Sequence, residues 1–113
     1  MASRFLPAGS RYFIADVERQ FDWYLAKAGW DVGDRCLDAV EATCRLLGQH
    51  PTLGPRGGFT HPRLREWRFF LLSRPFNQHI LFYELAGDDV VMRRAARGQR
   101  DLLRRLIEAP GAD

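Results

Sequence analysis

A chain of 113 residues and 13.0 kDa lies within the usual size of one domain, about 100 to 150 residues, so residues 1–113 are expected to fold as a single unit. Hydrophobic residues make up 46% and charged residues 27%, a globular balance that excludes a disordered chain and, with no apolar run approaching the roughly 20 residues of a spanning helix, a membrane protein. Net charge is a modest +3, but residues 1–55 carry six basic and seven acidic groups (−1) while residues 56–113 carry eleven and seven (+4).

In chain order, residues 3–6 read as a short strand closed by Pro7, Gly9 and Ser10. Since Pro7 interrupts the N-terminus before any hydrophobic segment develops, it does not read as a secretory signal, and a cytoplasmic protein is the expectation. Over residues 13–28, Ile14, Val17, Phe21, Tyr24, Leu25 and Ala28 recur at steps of three and four, the spacing of an amphipathic helix that Gly29 ends. A second helix, capped by Asp31 or Asp34, runs to Gln49 before His50-Pro51, with Leu37, Val40, Cys44 and Leu47 inward. Two helices joined so closely must form an antiparallel hairpin. Cys36 and Cys44 share the second helix about 12 Å apart, beyond the roughly 7 Å Cα limit of a disulfide, and are expected to be reduced core thiols.

Residues 51–62 hold three prolines and three glycines and form a loop. Three strand-like runs follow at 64–72, 79–85 and 89–96, with 86–88 as a hairpin turn, and a terminal helix spans 101–108 with Asp101 as its cap. The fold class is α+β: an N-terminal helical hairpin on a small antiparallel sheet, in the order β-α-α-β-β-β-α. On the first long strand Trp67, Phe69 and Leu71 share one face and Arg68, Phe70 and Leu72 the other. One helical layer cannot cover both faces, so either a partner or a binding groove occupies the second, unless Phe70 and Leu72 tuck beneath the long loop or the terminal helix. Trp67, Phe70 and Leu72, with Trp23 on the first helix, are the candidate partner anchors.

Metal chemistry finds no support, because Cys36, Cys44, His50, His61 and His79 contain neither a C-x-x-C pair nor a helical His pair. No serine sits in a nucleophile elbow, and the glycine-rich 54–58 stretch lacks the strand-before and helix-after context of a phosphate loop; no cofactor is expected. The cationic chemistry is guanidinium chemistry, since Lys27 is the only lysine. Arg94, Arg97 and Arg100 at the last strand end, with Arg65 and Arg68 on its neighbour, are candidate contacts for an anionic target, being suited to bidentate pairing with phosphate or carboxylate.

Ala15-Asp16-Val17, Tyr24-Leu25, Gly29, Leu46-Leu47, Pro51, Gly54, Phe82-Tyr83-Glu84-Leu85 and the terminal Arg94-x-x-Arg97-Gly98-x-Arg100-Asp101-Leu102 together resemble the ParE/RelE superfamily of bacterial toxin–antitoxin toxins over nearly the whole chain. The resemblance implies a helical hairpin on an antiparallel sheet, a cognate antitoxin as partner, and one of two targets. RelE-like relatives cut ribosome-bound mRNA with basic residues that activate a 2′-OH, whereas ParE-like relatives bind DNA gyrase. Many members carry His where this chain has Arg97, no Tyr follows Tyr83 and no Lys follows Lys27. A guanidinium cannot act as a base near neutral pH, so the resemblance favours the ParE branch. The alternatives are a ribosome-dependent mRNA endonuclease and a degenerate binding domain without toxicity.

Overall fold

The structure is a computed structural model that describes residues 10–98 and 101–111; the strand expected at 3–6 lies outside them. Helix α1 spans Arg11–Ala28 and α2 Trp30–Gln49, followed by strands β1 Arg68–Leu71, β2 His79–Ala86 and β3 Asp89–Arg97, and the short helix α3 Leu102–Ile107. The sheet is antiparallel with β2 in the centre, so the expected α+β order holds from the first helix onward.

Ser10 starts α1 by accepting a hydrogen bond from the Phe13 N–H (3.1 Å), satisfying one of the donors every helix start leaves free. The same hydroxyl donates to the Arg93 carbonyl (2.8 Å), and the Ser10 N–H donates to the Met92 carbonyl (2.8 Å), so the helix begins stitched to the outer edge of β3. Gly29 is the whole connection to α2. Its N–H donates to the Tyr24 carbonyl, its own carbonyl accepts from Gly33, and its φ of 94° lies where only glycine is free of Cβ strain. Neither Asp31 nor Asp34 therefore caps α2: Gly29 occupies the cap position without a side-chain bond, and Asp31 falls inside the first turn.

The inward stripe of α2 is Cys36, Val40, Cys44 and Leu47, and it meets Phe13 and Val17 of α1 and one sheet face built from Leu72, Leu81, Tyr83, Val90, Met92 and Ala95. Each fully buried side chain of this size contributes about 1.5 to 3 kcal/mol relative to exposure. Ile14, expected in the stripe, is 43% exposed, and Phe13 takes the buried position instead. The expected first strand shrinks to four residues because 62–66 form turns, with the Leu64 N–H on the His61 carbonyl and the Trp67 N–H on the Leu64 carbonyl.

Alternation in β1 sends Phe70 and Leu72 to the helical core and Trp67 and Phe69 to the opposite face. There a second cluster of Leu64, Trp67, Phe82 and Leu106 forms, with Phe59, Ile80, Leu102 and Ile107 against it. Among the described residues, the long loop and α3 pack onto this second face. Phe70 and Leu72 lie under the helices, the reverse of the arrangement in which the loop or α3 would cover them. Tyr83 fixes the loop from below: its buried hydroxyl accepts from the Gly54 N–H (2.9 Å) and donates to the Pro51 carbonyl (2.7 Å). Arg56 and Phe69 then pair the loop with the outer edge of β1.

Candidate functional site

The β2–β3 ladder is in simple register from Ala86↔Asp89 to Tyr83↔Met92, then slips by one residue so that Phe82 faces Arg94 and His79 faces Arg97. This bulge moves Arg94 off the helical-core face that Met92 occupies. It reaches the junction of α1, β3 and α3, where its Nε and Nη2 donate to the two carboxylate oxygens of Asp16 at 2.7 and 3.0 Å. Nη1 donates to the carbonyls of Arg105, Leu106 and Glu108, which include backbone acceptors at the end of α3 that have no helical partner of their own. Asp16 also accepts from the Ala95 N–H at 2.9 Å. Arg94 is 6% exposed; its expected role as a target contact is replaced by that of a clasp holding three elements together.

Beside this clasp lies a pocket of about 250 Å³ between α1, the end of β3 and the segment after α3. Arg97 stands at its rim with its guanidinium 4.9 Å from the Trp23 ring centroid and bonded to the Gln78 side-chain oxygen. His79 forms part of the wall and is almost fully buried. Its Nε2 is 2.8 Å from the Tyr24 hydroxyl, while its Nδ1 has no partner among the described residues. Burial, and then the nearby Arg97 charge, push the His79 pKa down to about 4, so the imidazole is neutral at pH 7. The Gln20 Oε1, another buried atom of the pocket lining, is likewise without a partner among the described residues.

Of the other expected contacts, Arg68 donates to the Gly54 carbonyl (2.7 Å) and holds the loop, and Arg65 is exposed in the turn before β1. Neither lines the pocket, so the structure brings Arg94 and Arg97 together and leaves Arg65 and Arg68 apart from them. Arg100 lies outside the described residues. Asp101 precedes α3 with a left-handed φ of 59° and makes no capping bond, contrary to expectation; Arg104 approaches it at 3.9 Å.

Among the expected partner anchors, Leu72 is 2% exposed, Trp67 is buried and Phe70 is half-buried, so these three are core side chains. Trp23 is 45% exposed and remains available. Sequence reasoning missed Trp30, at 64% the most exposed large apolar side chain among the described residues, whose ring meets Phe21 edge-on at 5.6 Å. It also missed His79 and Gln20, for which an isolated histidine opposite the arginine-rich strand end is the available signal. Among the described residues no group of His, Cys, Asp and Glu could hold a metal ion, and no helix is long and apolar enough to cross a membrane.

Residues 10–102 match a family model described as the ParE toxin of a type II toxin–antitoxin system, parDE. The fold is similar to a solved chain titled "Chromosomal ParDE TA system from P. aeruginosa", at a TM-score of 0.66 and 17% identity, covering 86% of this chain and 100% of that one. No curated protein gives a significant match.

Proposed function

We propose, from the premise that this chain belongs to the ParE toxin family of type II toxin–antitoxin systems, that it acts in the cytoplasm by binding and inhibiting DNA gyrase and is neutralised by a cognate antitoxin. The observation that carries this reading is the chemistry available at the arginine-rich strand end. Arg97 is permanently charged, and His79 is held neutral and buried against Tyr24. The Tyr83 hydroxyl is spent on Pro51 and Gly54. A nuclease that deprotonates a 2′-OH draws a factor of about 10² to 10⁴ from general base catalysis, and none of these groups is suited to supply it. Inhibition by binding has no such requirement. For the antitoxin, Trp23 and Trp30 offer exposed aromatic area on the helical hairpin, the residue type that dominates protein interfaces.

The test is a supercoiling assay with purified gyrase, beside primer extension on mRNA from cells expressing the protein. Loss of supercoiling or accumulation of cleaved DNA is expected, with Arg97→Ala weakening the effect. If mRNA is cut on translating ribosomes while gyrase stays active, the protein is instead a ribosome-dependent endonuclease.

A further inference from the structure

Residues 51–72 carry four arginines and one glutamate, a net +3, while the rest of the chain carries thirteen basic and thirteen acidic groups. The net charge of the protein is therefore concentrated in the long loop, the turn after it and β1. Arginines elsewhere are largely answered: Arg93 by Glu84, Arg94 by Asp16 and Arg104 by Glu108. Here they are not. Arg56 and Arg68 are direct cross-strand partners, and the flanking bonds, from the Gly57 N–H to the Trp67 carbonyl and from the Phe69 N–H to the Pro55 carbonyl, make this the pair type whose side chains start closest together. Like charges placed directly opposite each other destabilise a ladder. Among the described residues Arg56 has one exposed carboxylate, Glu66 at 3.0 Å, and Arg68 has the carbonyls of Gly54 and Thr52. In the turn between them Leu64 is buried, so Arg63 and Arg65 on either side of it are exposed, and neither guanidinium has a partner among the described residues. The His61 Nδ1 accepts from the Arg63 N–H (3.1 Å) and fixes the turn that carries both.

We propose that this edge of the sheet binds the phosphate backbone of duplex DNA through Arg56, Arg63 and Arg65, with Arg68 holding the loop that carries Arg56. Three observations select this partner. The cations form a row along a loop and a turn and none of them lines the pocket beside Arg94, an arrangement that suits the repeated charge of a backbone better than a single enclosed anion. Their guanidinium forks match phosphate oxygens, and Arg56 exchanges Glu66 for a phosphate at little cost because a surface ion pair contributes little. The large apolar side chains of residues 56–67 are turned inward: Leu64 and Trp67 are buried and Phe59 packs on Phe82 at 6.2 Å. A protein partner would need exposed anchors here, and a single strand would need exposed rings on which to stack its bases. A duplex, whose bases already stack on one another, needs phosphate contacts alone. The choice of DNA over RNA rests on the gyrase reading, since an enzyme that works on duplex DNA brings such a backbone beside its inhibitor.

The experiment is fluorescence anisotropy of a labelled DNA duplex of about 20 base pairs, titrated with the folded protein at several salt concentrations and without gyrase. Two or three phosphate contacts give a slope of log affinity against log salt of about −1.8 to −2.7, a loss of about 10- to 40-fold between about 50 and 200 mM salt. A duplex of scrambled sequence is expected to bind equally well. Arg63→Gln combined with Arg65→Gln should weaken binding about tenfold or more at the lower salt and flatten the slope by about 2, with the thermal melt unchanged. Arg97→Gln should bind as the parent does; a loss as large as that of the double variant would place the contact at the end of β3 and overturn the proposal. Absence of duplex binding at the lower salt also overturns it, as does parental affinity in the double variant. Tighter binding of the separated single strand would overturn the duplex, tighter binding of an RNA duplex would overturn the choice of DNA, and polyglutamate of equal charge competing as well as unlabelled duplex would overturn the nucleic acid. Because gyrase is absent throughout, each of these failures leaves the gyrase reading standing, and that reading fails separately in the supercoiling assay.

Discussion

Arg94 directs donors from all three of its guanidinium nitrogens into the protein, to a carboxylate and three carbonyls. Removing one member of a buried pair leaves the other charged and unmatched, at a cost of about 3 to 5 kcal/mol. Arg94→Ala and Asp16→Ala should each lower unfolding free energy by that order in urea titrations, and Arg94→Lys should fail to rescue because an ammonium lacks the fork. Any fall in toxicity of Arg94→Ala is then a folding effect, which a circular dichroism melt separates from the Arg97→Ala result. His79 affects stability in the same sense as a paired carboxylate, although the cause is burial of a base and not pairing of an acid. Its folded pKa of about 4 lies below the unfolded value of 6.5, so between these the unfolded chain binds more protons and stability falls as pH drops through the window. At most about 3 kcal/mol is at stake. His79→Gln should flatten the stability curve between pH 4 and 6.5 relative to the parent, measured by urea midpoints at each pH. The arginines were visible in the sequence, but their separate fates were not. Without the bulge at Phe82/Tyr83, His79 would face Ala96 rather than Arg97, and no residue type announces that slip.

At the scale of elements, helices and the central hairpin were legible because their apolar spacing and turn residues agree, from Val40, Cys44 and Leu47 in α2 to Ala86-Gly87-Asp88 between β2 and β3. The part that escaped is the segment at 62–67, where aromatic and branched residues read as strand but hydrogen-bond as turns, so that Leu64 and Trp67 are buried without belonging to the sheet. The partner-anchor reading of Trp67, Phe70 and Leu72 failed for a related reason: a sequence shows that both faces of a strand are apolar, not that the chain returns to cover them. Ser10 and Gly54 are the joints on which this arrangement turns. Ser10→Ala removes both the cap and the tie to Arg93, and should cost about 1 to 2 kcal/mol by thermal melt. A Cβ on Gly54 would come 2.4 Å from the Phe69 carbonyl oxygen and 2.9 Å from the Tyr83 hydroxyl. Gly54→Ala is therefore expected to displace the loop and destabilise strongly. Gly48→Ala meets nothing within 4 Å in the exposed end of α2 and should instead stabilise by about 0.5 to 1 kcal/mol, from helix propensity.

For the molecule as a whole, two layers of apolar contact sandwich one small sheet, and the thiols report on the larger of them. Cys36 and Cys44 are buried there, with pKa values raised by burial to about 11 and about 12. A thiolate must form before either can react. Labelling at pH 8 by a thiol reagent should accordingly proceed at the rate set by opening of the core, and should accelerate in Arg94→Ala, with the modified fraction read by mass spectrometry. The clasp that sets this opening also orders events in time. Asp16 precedes Arg94 by 78 residues, and the last acceptor, at Glu108, follows Arg94 by 14. During synthesis the helical hairpin is complete long before its guanidinium partner exists, and that partner is satisfied only once residue 108 has cleared the ribosome. A chain interrupted shortly after β3 would thus carry a charged, half-matched arginine in its interior. It would be a substrate for proteolysis rather than an active toxin, so interrupted translation would release little harmful product.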